Sequence, residues 1–320
     1  MERTREEELE YRRYLHRLKR REERRRKVMV ARAVVLVAGL LLIVGLGCLV
    51  RLGVKMAAGT GKSDKKLAQA SAEPSATPFD YSIPEGYEEY ASQLEELMES
   101  YPKVEDILSN LYEYPESMLE LAINNQEALE FVLDYPRHKS DIKPSGEVTA
   151  EELESAVNGI PCFQQWDGRW GYLTYGSDNI GINGCGPTCL SMVAVGLLKD
   201  TSQSPDVVAE FSVENNYCTP ASGTSWSLMS SGAQKLGLSA KAVTLEKETI
   251  RGELQANRPV ICSMKPGDFT TTGHFIVLTG FTEDGKVVVN DPNSLLRSKE
   301  EWKLNALVKQ MKAAWSYSVP

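Results

Sequence analysis

An uncharged apolar run near the N-terminus is the feature that most constrains how this chain can fold. Residues 33–50 (AVVLVAGLLLIVGLGCLV) are eighteen apolar residues without a charge, and the run reaches back to residue 28 with Arg32 as its only interruption. A helix needs about 20 apolar residues to cross a bilayer, so the sequence predicts a transmembrane helix over 28–50. A cleavable signal peptide is the competing interpretation, since small residues follow at 57–59. Its apolar core is typically only about 7–15 residues long, and we favour an uncleaved anchor.

Charge is distributed unevenly on the two sides of this run. Residues 1–32 contain 13 Lys and Arg against 7 Asp and Glu, although the whole chain has a net charge of −8. Basic residues concentrate on the cytoplasmic side of a span, so we expect the basic segment 1–27 in the cytoplasm. Everything from residue 51 onwards is then outside the cell, in a bacterium. Because the folded remainder is acidic, it lacks the basic face that phosphate contacts require, and we expect no nucleic-acid partner.

Two regions are predicted between the span and residue 158. Residues 51–79 are mostly small, polar or proline residues and predict a flexible linker. Residues 80–157 predict a small helical module, because large apolar residues recur there at spacings of three and four. The predicted helices run from Glu85 to Tyr101, from Val104 to Leu111 and from Pro115 to about Val132, and a capping box at Thr149 and Glu152 starts a further short one.

Prolines and composition give the remaining expectations for the helical module. Each of three Tyr-Pro pairs, at 101–102, 114–115 and 135–136, fits a proline in the first turn of a helix. No catalytic pattern is visible in these residues. The module can bind a partner or serve as a stalk that packs against the next domain, and we favour the stalk.

The first sign of chemistry is a cysteine at a predicted helix start. In Gly184-Cys185-Gly186-Pro187, the proline is placed just inside a helix whose apolar residues predict burial along one face. Unpaired N–H groups and the helix dipole at such a position stabilise a thiolate over a thiol. Cys185 is therefore a candidate nucleophile, whereas Cys189, one turn further in, is expected to be a small buried apolar residue.

A nucleophilic cysteine needs a base, and the chain has only three histidines, His16, His138 and His274. His16 belongs to the cytoplasmic segment and His138 to the helical module, which leaves His274. It begins an apolar run, residues 274–281, that a turn at 283–285 joins to a second run at 286–290. Antiparallel pairing across that turn places Asp291 within about two residues of the point opposite His274. A carboxylate there can fix the imidazole tautomer. Asn290 is a weaker candidate, since its side chain is expected to point to the other face.

Four segments together resemble a known family. They are IPCFQQWDGRW at 160–170, GCGPT at 184–188, GHFIVLTGF at 273–281 and NDP at 290–292, and they are similar to the C39-like cysteine peptidase domain of papain-like fold. The resemblance covers about residues 158–320 and implies an α+β fold in which a helix bearing the nucleophile packs on an antiparallel sheet. It implies Cys185 as nucleophile, His274 as general base and Asp291 as the residue that orients the base.

The resemblance also implies an oxyanion-hole donor. Gln165 occupies the matching position, with Gln164 as the less favoured neighbour, and its amide would act together with the backbone N–H of Cys185. Members of the family that cleave double-glycine leaders are attached to ABC exporters. Neither an ATPase nor a multi-span region is present in this sequence, so we do not transfer that substrate.

These expectations combine into one predicted function and two alternatives. We expect a membrane-anchored extracytoplasmic thiol hydrolase that cleaves a peptide or amide bond in a peptide-containing cell-surface substrate, without a metal or cofactor. An acyltransferase or cell-wall amidase with the same residues is the first alternative, and a non-catalytic surface binding module is the second. The remaining outer cysteines can form two disulfides or stay reduced; they are Cys162, Cys189, Cys218 and Cys262.

Overall fold

The computed structural model describes residues 83–219 and 223–320, which belong to one compact unit spanning Phe79–Pro320. The predicted cytoplasmic segment (1–27), transmembrane helix (28–50) and linker (51–79) lie outside the described residues. Among the residues that are described, no helix is long and apolar enough to cross a membrane.

The helical module is built from short helices. They are α1 (Glu88–Met98), α2 (Val104–Leu108), a 3₁₀ turn (Leu111–Glu113), α3 (Glu116–Asn124), a second 3₁₀ turn (Gln126–Ala128), α4 (Leu129–His138), α5 (Ala150–Glu154) and a third 3₁₀ turn (Val157–Gly159). The apolar faces of the helices up to α4 form one core that includes Leu94, Ile107, Met118 and Val132, each fully buried. Helix α5 and the third 3₁₀ turn contain no buried residue. The predicted capping box is present at the start of α5, where Thr149 accepts from the Glu152 N–H and Glu152 bonds back to the Thr149 N–H.

Two expectations for this module are wrong in detail. The helix predicted from Pro115 to Val132 is interrupted at Asn125, which is extended (φ −147°, ψ 90°) and whose side chain accepts a hydrogen bond from the Glu127 N–H. An Asn side chain that bonds to nearby backbone competes with the helix ladder. Pro136 lies inside α4 instead of in a first turn. Proline has no N–H, so α4 lacks the hydrogen bond that residue 136 would otherwise donate to the carbonyl of residue 132.

The remainder of the unit is a mixed helical and antiparallel β structure, as the α+β expectation requires. Its helices are α6 (Ile180–Asn183), α7 (Cys185–Leu198), α8 (Pro205–Glu214), a 3₁₀ turn (Trp226–Met229), α9 (Ser231–Lys235), α10 (Lys247–Gln255), α11 (Leu295–Lys299) and α12 (Leu304–Gln310). Its strands are β1 (Thr174–Tyr175), β2 (Asp178–Asn179), β3 (Cys218–Thr219), β4 (Gly223–Thr224), β5 (Ser239–Ala242), β6 (Val260–Met264), β7 (His274–Phe281), β8 (Val287–Asn290) and β9 (Met311–Ser318).

The five longer strands form one antiparallel sheet in the order β5-β9-β6-β7-β8. Successive residues of β6 alternate between two cores: Ile261 faces the core that contains α7, while Val260 and Cys262 face the core that contains α10 and α12. Side chains of a strand alternate between faces, and helices cover both faces here. The central strands are therefore continuous apolar runs.

Helix α7 is more deeply buried than its pattern predicts. Every residue from Gly186 to Gly196 is buried, so the expectation of one buried face is wrong. The small residues on its second face explain the difference. At Gly196, an added Cβ would lie 2.5 Å from Ile160 Cδ1 and 2.7 Å from the Gly159 carbonyl oxygen. The chain that enters the sheet region thus passes directly against the helix backbone, on the side where solvent was expected.

An aromatic contact joins the helical module to the sheet region. The ring of Phe131 in α4 stacks on Tyr172 with centroids 4.3 Å apart, and the Tyr172 hydroxyl donates to the Phe131 carbonyl at 2.9 Å. A Cβ at Gly171 would lie 2.7 Å from this phenyl ring, and one at Gly181 would lie 2.6 Å from it. The two glycines therefore form a notch that accommodates the phenyl ring.

Candidate active site

Cys185 is the first residue of α7, as the sequence predicts, and its side chain is half-buried. Both neighbouring glycines are required by close approaches. A Cβ at Gly184 would lie 2.5 Å from the Ile180 carbonyl oxygen, and one at Gly186 would lie 2.5 Å from Thr224 Oγ1. The first N–H groups of a helix have no partner within it, so the thiol lies beside unpaired backbone donors.

His274 is the first residue of β7 and is buried. Its Nε2 lies 2.7 Å from Asp291 Oδ1, and the ring lines the same cavity as Cys185. A carboxylate only accepts hydrogen bonds, so Nε2 must be the donor of the first pair. Nδ1 is then the ring nitrogen that remains for the thiol.

Asp291 follows β8 and is fully buried. Because Val277 pairs with Asn290 in the sheet, the next residue falls near the point opposite His274, which agrees with the spacing argument. Three donors hold its carboxylate: His274 Nε2 and the Asn293 N–H at Oδ1, the latter at 2.8 Å, and Arg297 Nε at Oδ2, at 2.6 Å.

His274 and Asp291 each stabilise the charged form of the other. Burial lowers the pKa of His274, but the Asp291 charge and hydrogen bond, with a further contribution from Cys185, outweigh it and raise the pKa to about 10. Burial raises the pKa of Asp291, but the charges and hydrogen bonds of His274 and Arg297 outweigh it and lower the pKa. The folded site therefore favours an imidazolium next to the thiol and an ionised carboxylate behind it.

The two glutamines and the neighbouring asparagine occupy different places. Gln165 is buried at the cleft, where its Nε2 donates to the carbonyls of Gly181 at 2.8 Å and Ile182 at 3.2 Å. Gln164 lies behind Asp291 and donates to the Asp291 carbonyl at 3.3 Å. Asn290 points away from His274 and donates to the carbonyls of residues 160 and 161. The oxyanion role of Gln165 stays a prediction, since its donors are directed at the chain itself.

The cysteines of the described residues are all free thiols. Cys189 and Cys262 are fully buried, and burial raises the pKa of each. Cys189 matches the expectation for a small buried apolar residue. Of the two options left open by the sequence, the structure has the reduced form for the described cysteines.

Comparison with known proteins assigns the family. The model of the Peptidase_C39 like family matches residues 157–319. The chain belongs to the Peptidase_C39 like family. The matched solved structures include the crystal structure of a double glycine motif protease from an AMS/PCAT transporter in complex with the leader peptide. The two sequences are 18% identical, and the match has a TM-score of 0.32. It covers 56% of the present chain and 100% of the protease chain. No curated protein matches the sequence.

This membership supports a cysteine peptidase-like enzyme, and the cleft of this C39-like chain contains residues from outside the matched range. A cavity of about 500 Å³ opens above Cys185 and His274. One wall is the loop 267–273 between β6 and β7. Gln310 fixes this loop, accepting from the Asp268 N–H and donating to the Asp268 carboxylate, both at 2.7 Å. The opposite wall comes from the helical module, with Ser117, Glu120, Leu121, Asn124 and Asn125.

Sequence reasoning missed two components of this C39-like site. Arg297 lies on the short helix α11, and nothing in the spacing of SLLRSK shows that its guanidinium turns back to Asp291. The helical wall is equally invisible, because it depends on how α3 packs on residues far away in sequence. The Asn-Asn-Gln run at 124–126 was the one local sign, since it interrupts the apolar spacing of the predicted helix.

Proposed function

We propose that this chain is a membrane-anchored, extracytoplasmic thiol hydrolase that cleaves a peptide or amide bond, with Cys185, His274 and Asp291 as its catalytic triad. One observation carries the proposal: a half-exposed thiol at a helix N-terminus lines one open cleft together with a buried imidazole, and a buried carboxylate holds that imidazole at 2.7 Å. Nucleophile, base and orienting group are the parts that thiol hydrolysis needs.

The proposed reaction has two stages. The Cys185 thiolate attacks the carbonyl carbon, and the C–N bond then breaks as His274 Nδ1–H gives its proton to the leaving amine. The acyl group is now a thioester on Cys185. In the second stage Nδ1 takes a proton from water, the resulting hydroxide attacks the thioester, and the thiolate leaves with the imidazolium restored.

Both stages pass through an oxyanion that needs donors. The backbone N–H of Cys185 is one candidate. Gln165 can be the other if one of its amide N–H groups turns from the Gly181 or Ile182 carbonyl to the substrate. Its Oε1 is buried without a hydrogen-bond partner, so this amide is incompletely paired in the free site. Rotation of the amide would therefore break no hydrogen bond at Oε1.

Alkylation by iodoacetamide at neutral pH tests the proposed nucleophile. The full-length chain is labelled and each cysteine is followed by peptide mass spectrometry. Cys185 should react faster than the exposed Cys162, and His274→Ala should abolish that advantage. In parallel, cleavage of a peptide library should be lost in Cys185→Ala and retained in Cys189→Ala. Equal labelling of Cys185 and Cys162, or cleavage by Cys185→Ala, would overturn the assignment.

The location outside the cell rests on the apolar run 28–50 and on the basic segment before it. Protease treatment of intact bacterial cells that express the full-length chain with a C-terminal tag tests it. Loss of the tag from intact cells is expected. A tag that is protected in intact cells and lost only after lysis would contradict the proposed topology.

A further inference from the structure

The helical module touches the segment that carries the proposed catalytic carboxylate. Asn125 Nδ2 donates to the Asn293 carbonyl at 2.8 Å and to Asn293 Oδ1 at 3.1 Å. Two residues later, the Glu127 carboxylate accepts from the Ser294 hydroxyl and, at 2.9 Å, from the Leu296 N–H. These are polar, directional contacts across about 170 residues of sequence, in contrast to the apolar packing around Phe131.

The contacted residues either bond to the Asp291 carboxylate or lie next to a residue that does. The Asn293 N–H donates to Asp291 Oδ1, and Arg297, which follows Leu296, donates to Oδ2. Ser294 caps α11 by accepting from the Arg297 N–H at 3.0 Å. Glu127 therefore holds the start of the helix from which Arg297 reaches Asp291.

The break between α3 and α4 makes these contacts available. Asn125 leaves the helical conformation, its Oδ1 accepts from the Glu127 N–H at 3.2 Å, and its Nδ2 is left to reach Asn293. In a continuous helix, residue 125 would have helical φ and ψ, and the bend at this position would be absent. The departure from the predicted helix thus coincides with the polar contact between the helical module and the segment 291–297.

We propose that Asn125 and Glu127 are positioning residues for Asp291, so that the helical module completes the active site instead of serving only as a stalk. This rests on the proposed function, because it gives Asp291 a role in orienting His274. The charged and titratable groups around His274 are Cys185 on α7 and Asp291 after β8, with Arg297 of α11 behind the carboxylate. Asn125 and Glu127 act on the segment that contains the last two of these.

The test follows the titration of His274 directly. The chain has three histidines, so the ring signals of a histidine-labelled full-length chain in mild detergent can be assigned with His274→Ala. Glu127→Ala should lower the midpoint of His274 and slow iodoacetamide labelling of Cys185 at pH 7 by about tenfold, the factor that corresponds to one hydrogen bond to a charged group. Asn125→Ala removes hydrogen bonds between neutral groups and should act in the same direction by about fivefold. Glu127→Gln, which keeps the size of the side chain, should give a smaller change of the same sign.

Two controls separate positioning from general loss of stability. Glu130→Ala removes an exposed carboxylate three residues away, whose partner is Lys103, and should leave the midpoint unchanged. Val132→Ala loosens the core of the helical module and should lower the unfolding free energy without moving the midpoint. Circular dichroism shows whether each variant is folded.

The outcomes distinguish this inference from the proposed function. If His274→Ala slows Cys185 labelling while neither Glu127→Ala nor Asn125→Ala moves the His274 midpoint, Asn125 and Glu127 have no positioning role and the inference is wrong. It is also wrong if Val132→Ala moves the midpoint as far as Glu127→Ala does. If His274→Ala leaves the labelling unchanged, the proposed function itself fails.

Discussion

Replacement of Asp291 by Asn removes the charge at the centre of the site with almost no change in size. The amide oxygen can still accept from His274 Nε2 at the position of Oδ1, but the amide nitrogen then faces Arg297 Nε, which is 2.6 Å from Oδ2 in the native chain. Two donors would point at each other. The variant therefore breaks the ion pair with Arg297 and leaves His274 with only Cys185 to favour its positive charge.

The expected magnitude follows from two independent arguments. Folding raises the pKa of His274 from 6.5 to about 10, and about 1.4 kcal/mol accompanies each tenfold change in proton affinity, so the folded site favours the imidazolium by about 5 kcal/mol. Breaking a buried ion pair by removing one partner generally costs about 3–5 kcal/mol. We expect Asp291→Asn to lower the unfolding free energy at pH 7 by about 3–5 kcal/mol, with the midpoint of His274 falling from about 10 toward 6.5 or below, because burial then dominates.

Histidine ring signals of the full-length chain give the midpoint, and urea unfolding gives the stability. Asp284→Asn is the matched control, because it makes the same substitution at an exposed position in the turn before β8 and should change neither quantity. A midpoint that stays near 10 in Asp291→Asn would refute the argument that this carboxylate sets the protonation of His274. So would an equal change in the control.

Four further outcomes are expected. Gly186→Ala should displace Thr224, which an added Cβ would approach to 2.5 Å, and should reduce Cys185 labelling. Gly252 is at an exposed position of α10 with nothing within 4 Å of an added Cβ, so Gly252→Ala should raise the unfolding free energy by about 1 kcal/mol in urea titration. Gln165→Ala should lower kcat on a cleaved peptide by about 100-fold or more if its amide serves the oxyanion, and an unchanged kcat would exclude that role. Because the pKa of His274 is raised from 6.5 to about 10, its contribution to stability is complete below pH 6.5 and is lost as the pH rises through 10. The stability difference between the native chain and His274→Ala should therefore shrink over that interval in urea titrations.

Local sequence patterns predict those parts of the site whose geometry is set within a few residues. Gly184 and Pro187 place Cys185 at the start of α7, and the turn at 283–285 brings Asp291 back to His274. Glycine, proline and alternating apolar residues act through nearby backbone, so their effects are visible in the sequence.

Features that depend on distant partners are not visible in the same way. The full burial of α7 requires knowing that residues 159 and 160 pass against Gly196, and the contact from Arg297 to Asp291 requires the conformation of the loop between them. The interruption at Asn125 is stabilised by Asn293, 168 residues later. A pattern of apolar spacing contains no information on such a partner, and so it favours a continuous helix.

The notch at Gly171 and Gly181 has a consequence for the order in which this chain acquires its structure. The helical module emerges from the ribosome first, yet the ring of Phe131 can stack on Tyr172 and fill the notch only after residues 171–181 have been made. Until then the face of the Phe131 ring that stacks on Tyr172 is uncovered, although the residue is only 6% exposed in the finished fold. The packing of the helical module is therefore complete only after residues 171–181 of the sheet region have been synthesised. If synthesis stops between these two regions, the face of the Phe131 ring that packs on the sheet region stays uncovered.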